Sequence, residues 1–165
     1  VRTVVLGLDE VGREYARASK RDSASSLVGV YDPDRARADR LGKELGIPVF
    51  DRPEELLEVA KPQVCVLSAL EGKETLASDL LSRGIHVLST LPVAPDAEQC
   101  EKLAAETAKK DGILAADFHL RFTPAMDKAR EWVSGGEIGS PLFINMNLWR
   151  DVPDRHGDNP YHLFV

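Results

Sequence analysis

The feature that most constrains the fold of this chain is an alternation of short apolar runs with amphipathic helical stretches through its first 118 residues. Residues 3–7 form the first run, which closes on Gly7, and a helical stretch follows over residues 11–19. A second run at Ser26–Tyr31 completes a β-α-β unit within about thirty residues, the usual length of such a unit. Ala38, Leu41 and Leu45 then fall at helical spacing in residues 33–45, Val49 and Phe50 give a brief third run, and Pro53–Ala60 resumes a helix. Residues 64–68 are a continuous apolar run of the kind that is buried on both faces of a parallel sheet. The helix Lys73–Ser82 follows, with Gly84 placed to end it. His86–Ser89 and residues 114–117 are the last two runs. Between them Asp96 can cap a helix with Gln99 three positions on, and Cys100, Leu103, Ala104 and Ala108 trace its apolar face. Six predicted strands alternating with helices demand right-handed crossovers and a parallel sheet covered on both sides, the doubly wound α/β plan.

After Phe118 the pattern changes. Thr123-Pro124 opens a helix with Met126, Ala129 and Val133 on one face, and Gly135-Gly136 closes it. Residues 141–150 alternate as a strand, with Leu142, Ile144, Met146 and Leu148 on one side and Phe143, Asn145, Asn147 and Trp149 on the other. One helix and one strand cannot bury enough surface to stand alone, so residues 119–165 are expected to open a truncated α+β sheet domain or to lean on a partner, of which a second copy is the simplest. The predicted domains are therefore 1–118 and 119–165.

Composition narrows the function. A net charge of -6 lacks the basic footprint of a nucleic-acid binder. No stretch nears the apolar length of a membrane span, no signal segment opens the chain, and a cytoplasmic location is expected. Cys65 and Cys100 lack the spacing of a metal site or disulfide framework and read as small buried hydrophobes, and no metal-ligand cluster is recognisable elsewhere.

Gly7-Leu8-Asp9-Glu10-Val11-Gly12 sits where the first strand meets the first helix, where a dinucleotide pyrophosphate rests on helix N-terminal amides. In the full G-x-G-x-x-G pattern the second glycine lets the backbone approach the pyrophosphate. Asp9 stands there instead and adds bulk and negative charge, which predicts a weakened or differently arranged phosphate site. Asp32 ends the second strand about twenty residues after Gly12, where a carboxylate can bind the adenosine ribose and favour NAD over NADP. It can equally be the N-cap of a helix begun by Pro33, and the two roles are compatible.

With these residues in place the chain resembles the Gfo/Idh/MocA oxidoreductases over essentially its whole length. The likeness rests on the Gly7 to Gly12 turn, Val30-Tyr31-Asp32-Pro33-Asp34, Gly84-Ile85-His86-Val87-Leu88 leading to Pro92, Arg121-Phe122-Thr123-Pro124, and Gly136-Glu137-Ile138-Gly139-Ser140-Pro141. The resemblance implies a Rossmann domain for NAD(P), a C-terminal sheet domain that shapes the substrate cleft and often the oligomer interface, and hydride transfer to or from a sugar, cyclitol or related alcohol. It places Gly7 to Gly12, Asp32, Ser68, Ala69, Leu91 and Pro92 at the cofactor. Two departures stand out. The family's Glu-Lys-Pro, whose Lys helps protonate the substrate oxygen, reads Thr90-Leu91-Pro92 here. Its Thr-Pro followed by a His reads Ser68-Ala69 and then Lys73.

Leucine cannot exchange a proton. Lys73, His119 or His162 could in principle replace the missing acid–base group, yet spacing singles out none of them. Lys73 is read most simply as a solvated residue of a first helical turn, Arg121 as structural or ligand-facing, and Asn145 and Asn147 as solvent or sheet-interface residues. The catalytic group is thus not assignable. The alternative to a dehydrogenase is a non-catalytic nucleotide-binding or interaction protein.

Overall fold

The computed structural model describes residues 1–108, 111–145 and 147. It divides into two compact units, Val1–Arg121 and Phe122–Val165. In the first unit the elements are β1 (Arg2–Leu6), α1 (Glu10–Arg21), β2 (Ser26–Tyr31), α2 (Arg35–Leu45), α3 (Pro53–Ala60), β3 (Val64–Leu67), α4 (Lys73–Ser82), β4 (His86–Ser89), α5 (Ala97–Thr107) and β5 (Leu114–Ala116). All paired strands run parallel in the order β2-β1-β3-β4-β5.

The third predicted strand, at Val49-Phe50, is reduced to one bridge between Val49 and Val30. Only Val30 N–H and Phe50 N–H, which donate to Pro48 and Val30 carbonyls, hold it, because Pro53 starts a helix too soon for a longer ladder. Counting Val49 as a rudimentary third strand gives the third-second-first-fourth-fifth-sixth order of a Rossmann sheet.

Strand alternation sorts the core into two layers. Val4, Leu6, Cys65, Leu67 and Val87 face α3, α4 and α5 through Leu56, Leu57, Ala77, Leu80, Leu81 and Leu103. Val5 and Val66 point the other way, toward Ala16 of α1 and Ala38 and Leu41 of α2. Leu27 and Val30 lie three apart yet both join this second layer. A bulge in the β1–β2 pairing supplies the odd residue, since Thr3 pairs Leu27 while Val4 already pairs Gly29.

Helix ends follow the sequence signals. The Asp96 carboxylate accepts from Gln99 N–H at 2.8 Å, and Gly84, left-handed at φ +74, closes α4. Cys65 is fully buried, whereas Cys100 is only half-buried on α5.

A 3-10 turn, His119–Phe122, begins at the end of the first unit, and the second unit carries α6 (Pro124–Ser134). The strand predicted at 141–150 is not formed over residues 141–145 or at Asn147, and the rest of it lies outside the described residues. Leu142, Phe143 and Ile144 are 99%, 83% and 74% exposed, with no described strand to pair with, and an unpaired strand is not stable in water. Asn147 Nδ2 donates to Asn145 Oδ1 at 3.1 Å, and both residues are exposed.

Candidate functional site at the carboxyl edge of the sheet

In a doubly wound sheet, ligands bind outside the carboxyl ends of the strands at the point where strand order reverses. Here that point lies between β1 and β3, because the chain first steps outward from β1 to β2 and then returns to the far side of β1. The ladder continues one residue past each strand: Gly7 N–H donates to Tyr31, Ser68 N–H to Leu6, Thr90 N–H to Leu67 and Asp117 N–H to Ser89. These bonds align the residues that leave the sheet in one row.

Seven polar or charged residues are buried among those described, and six of them, Asp32, Ser68, Lys73, Ser89, Thr90 and Asp117, gather at this edge. Polar groups are costly to bury, so their concentration at one edge of an otherwise apolar core marks a site.

The turn after β1 is tight. Gly7 has φ +86, and a Cβ there would meet the Ser68 backbone at 3.0 Å. A Cβ on Gly12 would stand 2.0 Å from the Gly7 carbonyl oxygen, so α1 packs flush against the turn. Leu8 is buried, Glu10 opens α1 exposed to solvent, and Val11 is half-buried. Asp9 is the N-cap of α1: its Oδ1 accepts from Gly12 N–H at 2.9 Å and from Ser68 Oγ at 2.6 Å. The carboxylate thus occupies an amide at the helix end where phosphate oxygens would otherwise sit.

Asp32 is 5% exposed and ties the end of β2 to the turn after β1. Its Oδ2 accepts from Leu8 N–H at 2.5 Å and its Oδ1 from Asp34 N–H at 2.8 Å. The Arg37 guanidinium stands 3.4 Å away. Asp32 is not the helix cap. That role falls to Asp34, whose carboxylate accepts from Arg37 N–H at 3.1 Å, because Pro33 belongs to the turn and α2 begins only at Arg35.

Lys73 is buried rather than solvated. The left-handed Gly72 starts α4 so that Lys73 turns inward, and its Nζ donates to the Thr90 carbonyl at 2.6 Å and to Thr90 Oγ1 at 3.3 Å. Burial pushes this ammonium below the ordinary lysine value, against the opposing pull of Asp9 and Glu74. Ala69 is exposed beside it, and Leu91 and Pro92, joined by a cis peptide, are exposed after β4.

At β5, Asp117 is bonded by the Tyr15 hydroxyl, and His119 Nδ1 lies 3.6 Å from Asp117 Oδ2. Burial, and then Asp117, push the Tyr15 phenol well above its usual range. Ser89, Thr90, Asp117 and Tyr15 are the site residues that the sequence alone did not single out as functional. The available signal was position, since Thr90 and Asp117 each directly follow a strand. Arg121 lies in the 3-10 turn, its N–H donating to Phe118 at 2.9 Å, and His162 lies outside the described residues.

The arrangement fits a dinucleotide. The glycine turn gives close backbone approach, the strand order supplies the crevice, and a buried carboxylate, Asp32, directly follows β2. Asp9 is the departure.

Comparison with known proteins agrees. Residues 1–118 match the model of the Gfo/Idh/MocA oxidoreductase family, NAD-binding Rossmann fold. The chain is 31% identical over 150 residues to inositol 2-dehydrogenase 4 of Saccharopolyspora erythraea, covering 88% of this chain and 44% of that protein. It is 29% identical over 147 residues to the scyllo-inositol 2-dehydrogenase (NAD+) of Bacillus subtilis, covering 87% of this chain and 43% of the relative. Among solved structures, the Lactobacillus casei scyllo-inositol dehydrogenase with bound NAD(H) and scyllo-inositol superposes with a TM-score of 0.73 at 23% identity, over 84% of this chain and 42% of that one, which shows the shared fold. The chain spans less than half the length of these relatives. It belongs to the Gfo/Idh/MocA oxidoreductase family, with the NAD-binding Rossmann fold that defines its first domain.

Proposed function

We propose that this chain is the cofactor-holding part of an NAD-dependent dehydrogenase acting on a sugar, cyclitol or related alcohol. The observation that carries the reading is the gathering of buried polar side chains at the carboxyl edge of the sheet, around a glycine turn of positive φ. Every relative named above is a dehydrogenase of a cyclitol.

In this reading residues 1–118 form the dinucleotide domain and 119–165 open a substrate and oligomerisation domain. The turn residues Gly7, Leu8, Asp9, Glu10, Val11 and Gly12 hold the pyrophosphate, Asp32 binds the adenosine ribose, and Ser68, Ala69, Leu91 and Pro92 border the nicotinamide half. Oxidising an alcohol removes a hydride and a proton, and bound NAD supplies the hydride acceptor. Leu91 cannot take the proton, so that group comes from elsewhere in the protein. A homo-oligomer belongs to the reading, supported by the exposed Leu142, Phe143 and Ile144, and so does a cytoplasmic location, supported by the free thiols Cys65 and Cys100.

Titration with NADH and NADPH, followed by nicotinamide fluorescence, tests it. Saturable NADH binding is expected, weaker NADPH binding because a 2′-phosphate meets Asp32, and a loss of at least about tenfold in Asp32→Ala. Binding of neither nucleotide at about millimolar concentration, a free energy near 4 kcal/mol, would sink the proposal.

A further inference from the structure

Three charged residues are buried among those described, Asp32, Asp117 and Lys73, and all three stand at the carboxyl edge. Lys73 is the one cation of the three. Asp117 has Tyr15 and His119 as partners, and Asp32 has two N–H donors and Arg37. Lys73 differs: its hydrogen bonds go to neutral oxygens of Thr90, and the charges of Asp9 and Glu74 act on it without being hydrogen-bonded to it. A buried charge with no bonded counter-ion costs stability, and burial has already pushed this ammonium toward its neutral form. Such a group fits a place where a ligand brings the counter-charge.

Its position says which ligand. The Asp9 carboxylate sits at the end of β1 and Thr90 at the end of β4, with Ser68 at the end of β3 between them, its hydroxyl on Asp9. Lys73 reaches this crevice from α4 and is fixed on its β4 side. The N-terminus of α1, the usual source of positive potential for a dinucleotide, has given the Gly12 N–H to Asp9. A pyrophosphate with two negative charges entering beside Asp9 meets a carboxylate and one fewer free amide, a deficit that a nearby cation offsets.

We propose that Lys73 is a cofactor-binding residue, its buried ammonium on Thr90 facing the self-capped Asp9 turn and supplying the positive charge for the dinucleotide pyrophosphate. The proposal rests on the dinucleotide reading of the crevice. It makes Lys73 a binding group and involves no proton transfer.

The test uses the full chain and its Lys73→Met and Lys73→Arg variants, titrated with NADH, ADP and adenosine by calorimetry, with nicotinamide fluorescence for NADH. Lys73→Met should weaken NADH and ADP about tenfold, as expected for a charge-assisted contact, while Lys73→Arg retains most of the affinity and adenosine binds all three alike. NADH affinity in Lys73→Met within about twofold of the parent overturns the proposal, as does an equal loss for adenosine, which would mark a merely structural role. A second measurement needs no neutral substitution. The Lys73 ammonium resonance, assigned by its absence in Lys73→Arg, should shift when the parent is saturated with ADP and stay in place with adenosine. A resonance indifferent to ADP overturns the proposal even if Lys73→Met does not fold. A parent that binds neither NADH nor ADP sinks the dinucleotide reading together with this one; a parent that binds while Lys73→Met binds equally sinks this one alone.

Discussion

Lys73 couples the stability of the fold to pH. Its ordinary value is 10.5, and burial lowers it in the folded chain, while Asp9 and Glu74 oppose the shift without cancelling it. Between the lowered value and 10.5 the unfolded chain holds more protons than the folded one, so stability rises with pH across that window. Tyr15 acts in the opposite sense and higher up: its raised pKa makes stability fall once pH passes the ordinary tyrosine value of 10.0. Thermal melting as pH is raised toward the ordinary tyrosine value of 10.0 should therefore climb more in the parent than in Lys73→Met. Parallel curves would mean that Lys73 is not held below its ordinary value. At this scale Asp32 was legible from sequence, because a carboxylate ending the second strand of a β-α-β unit has few places to go. The burial of Lys73 was not. It depends on Gly72 adopting a left-handed conformation and on Thr90, seventeen residues on, presenting a carbonyl, and neither is encoded in local periodicity.

The N-terminus of α1 carries two competing demands. As N-cap, Asp9 satisfies Gly12 N–H and accepts from Ser68, which ties the helix to the end of β3. As a carboxylate it opposes a phosphate at the same amides. Asp9→Gly restores the glycine of the dinucleotide turn and should separate the two demands. Glycine is a tolerable N-cap, so the stability loss should be about 1 kcal/mol, mostly the Ser68 hydrogen bond. NADH should bind about tenfold more tightly once the amide is free and the negative charge is gone. Calorimetric melting and NADH titration of the same variant check both, and an affinity no better than the parent's would show that Asp9 swings aside at no cost. The elements were largely readable because each strand is a short apolar run bounded by a helix with its own caps. Val49-Phe50 read as a strand because it is an apolar run, and Asp32 as a cap because Pro33 suggested a helix start; the ladder length and the true cap at Asp34 were decided by where the chain had to turn.

At the scale of the molecule, the buried hydrophobic residues described run from Val4 to Leu103, and the buried polar residues of the site run from Asp32 to Asp117, all inside the unit Val1–Arg121. That unit has two closed core layers and the full Rossmann strand order, which is what independent folding requires. In α6 no residue is buried, and Leu142, Phe143 and Ile144 place apolar surface in water. The sequence announced this asymmetry through the loss of alternation after Phe118. A chain ended after Arg121 should consequently keep the parent's melting temperature and NADH affinity. Sedimentation velocity should at the same time show the shortened chain as a monomer and the full chain as a concentration-dependent larger species, because an exposed apolar segment is buried most simply against its own copy. Should the shortened chain unfold, residues beyond Arg121 would be part of the core after all. If instead both chains sediment as monomers, the apolar segment around Phe143 does not by itself drive assembly, and the homo-oligomer loses its support.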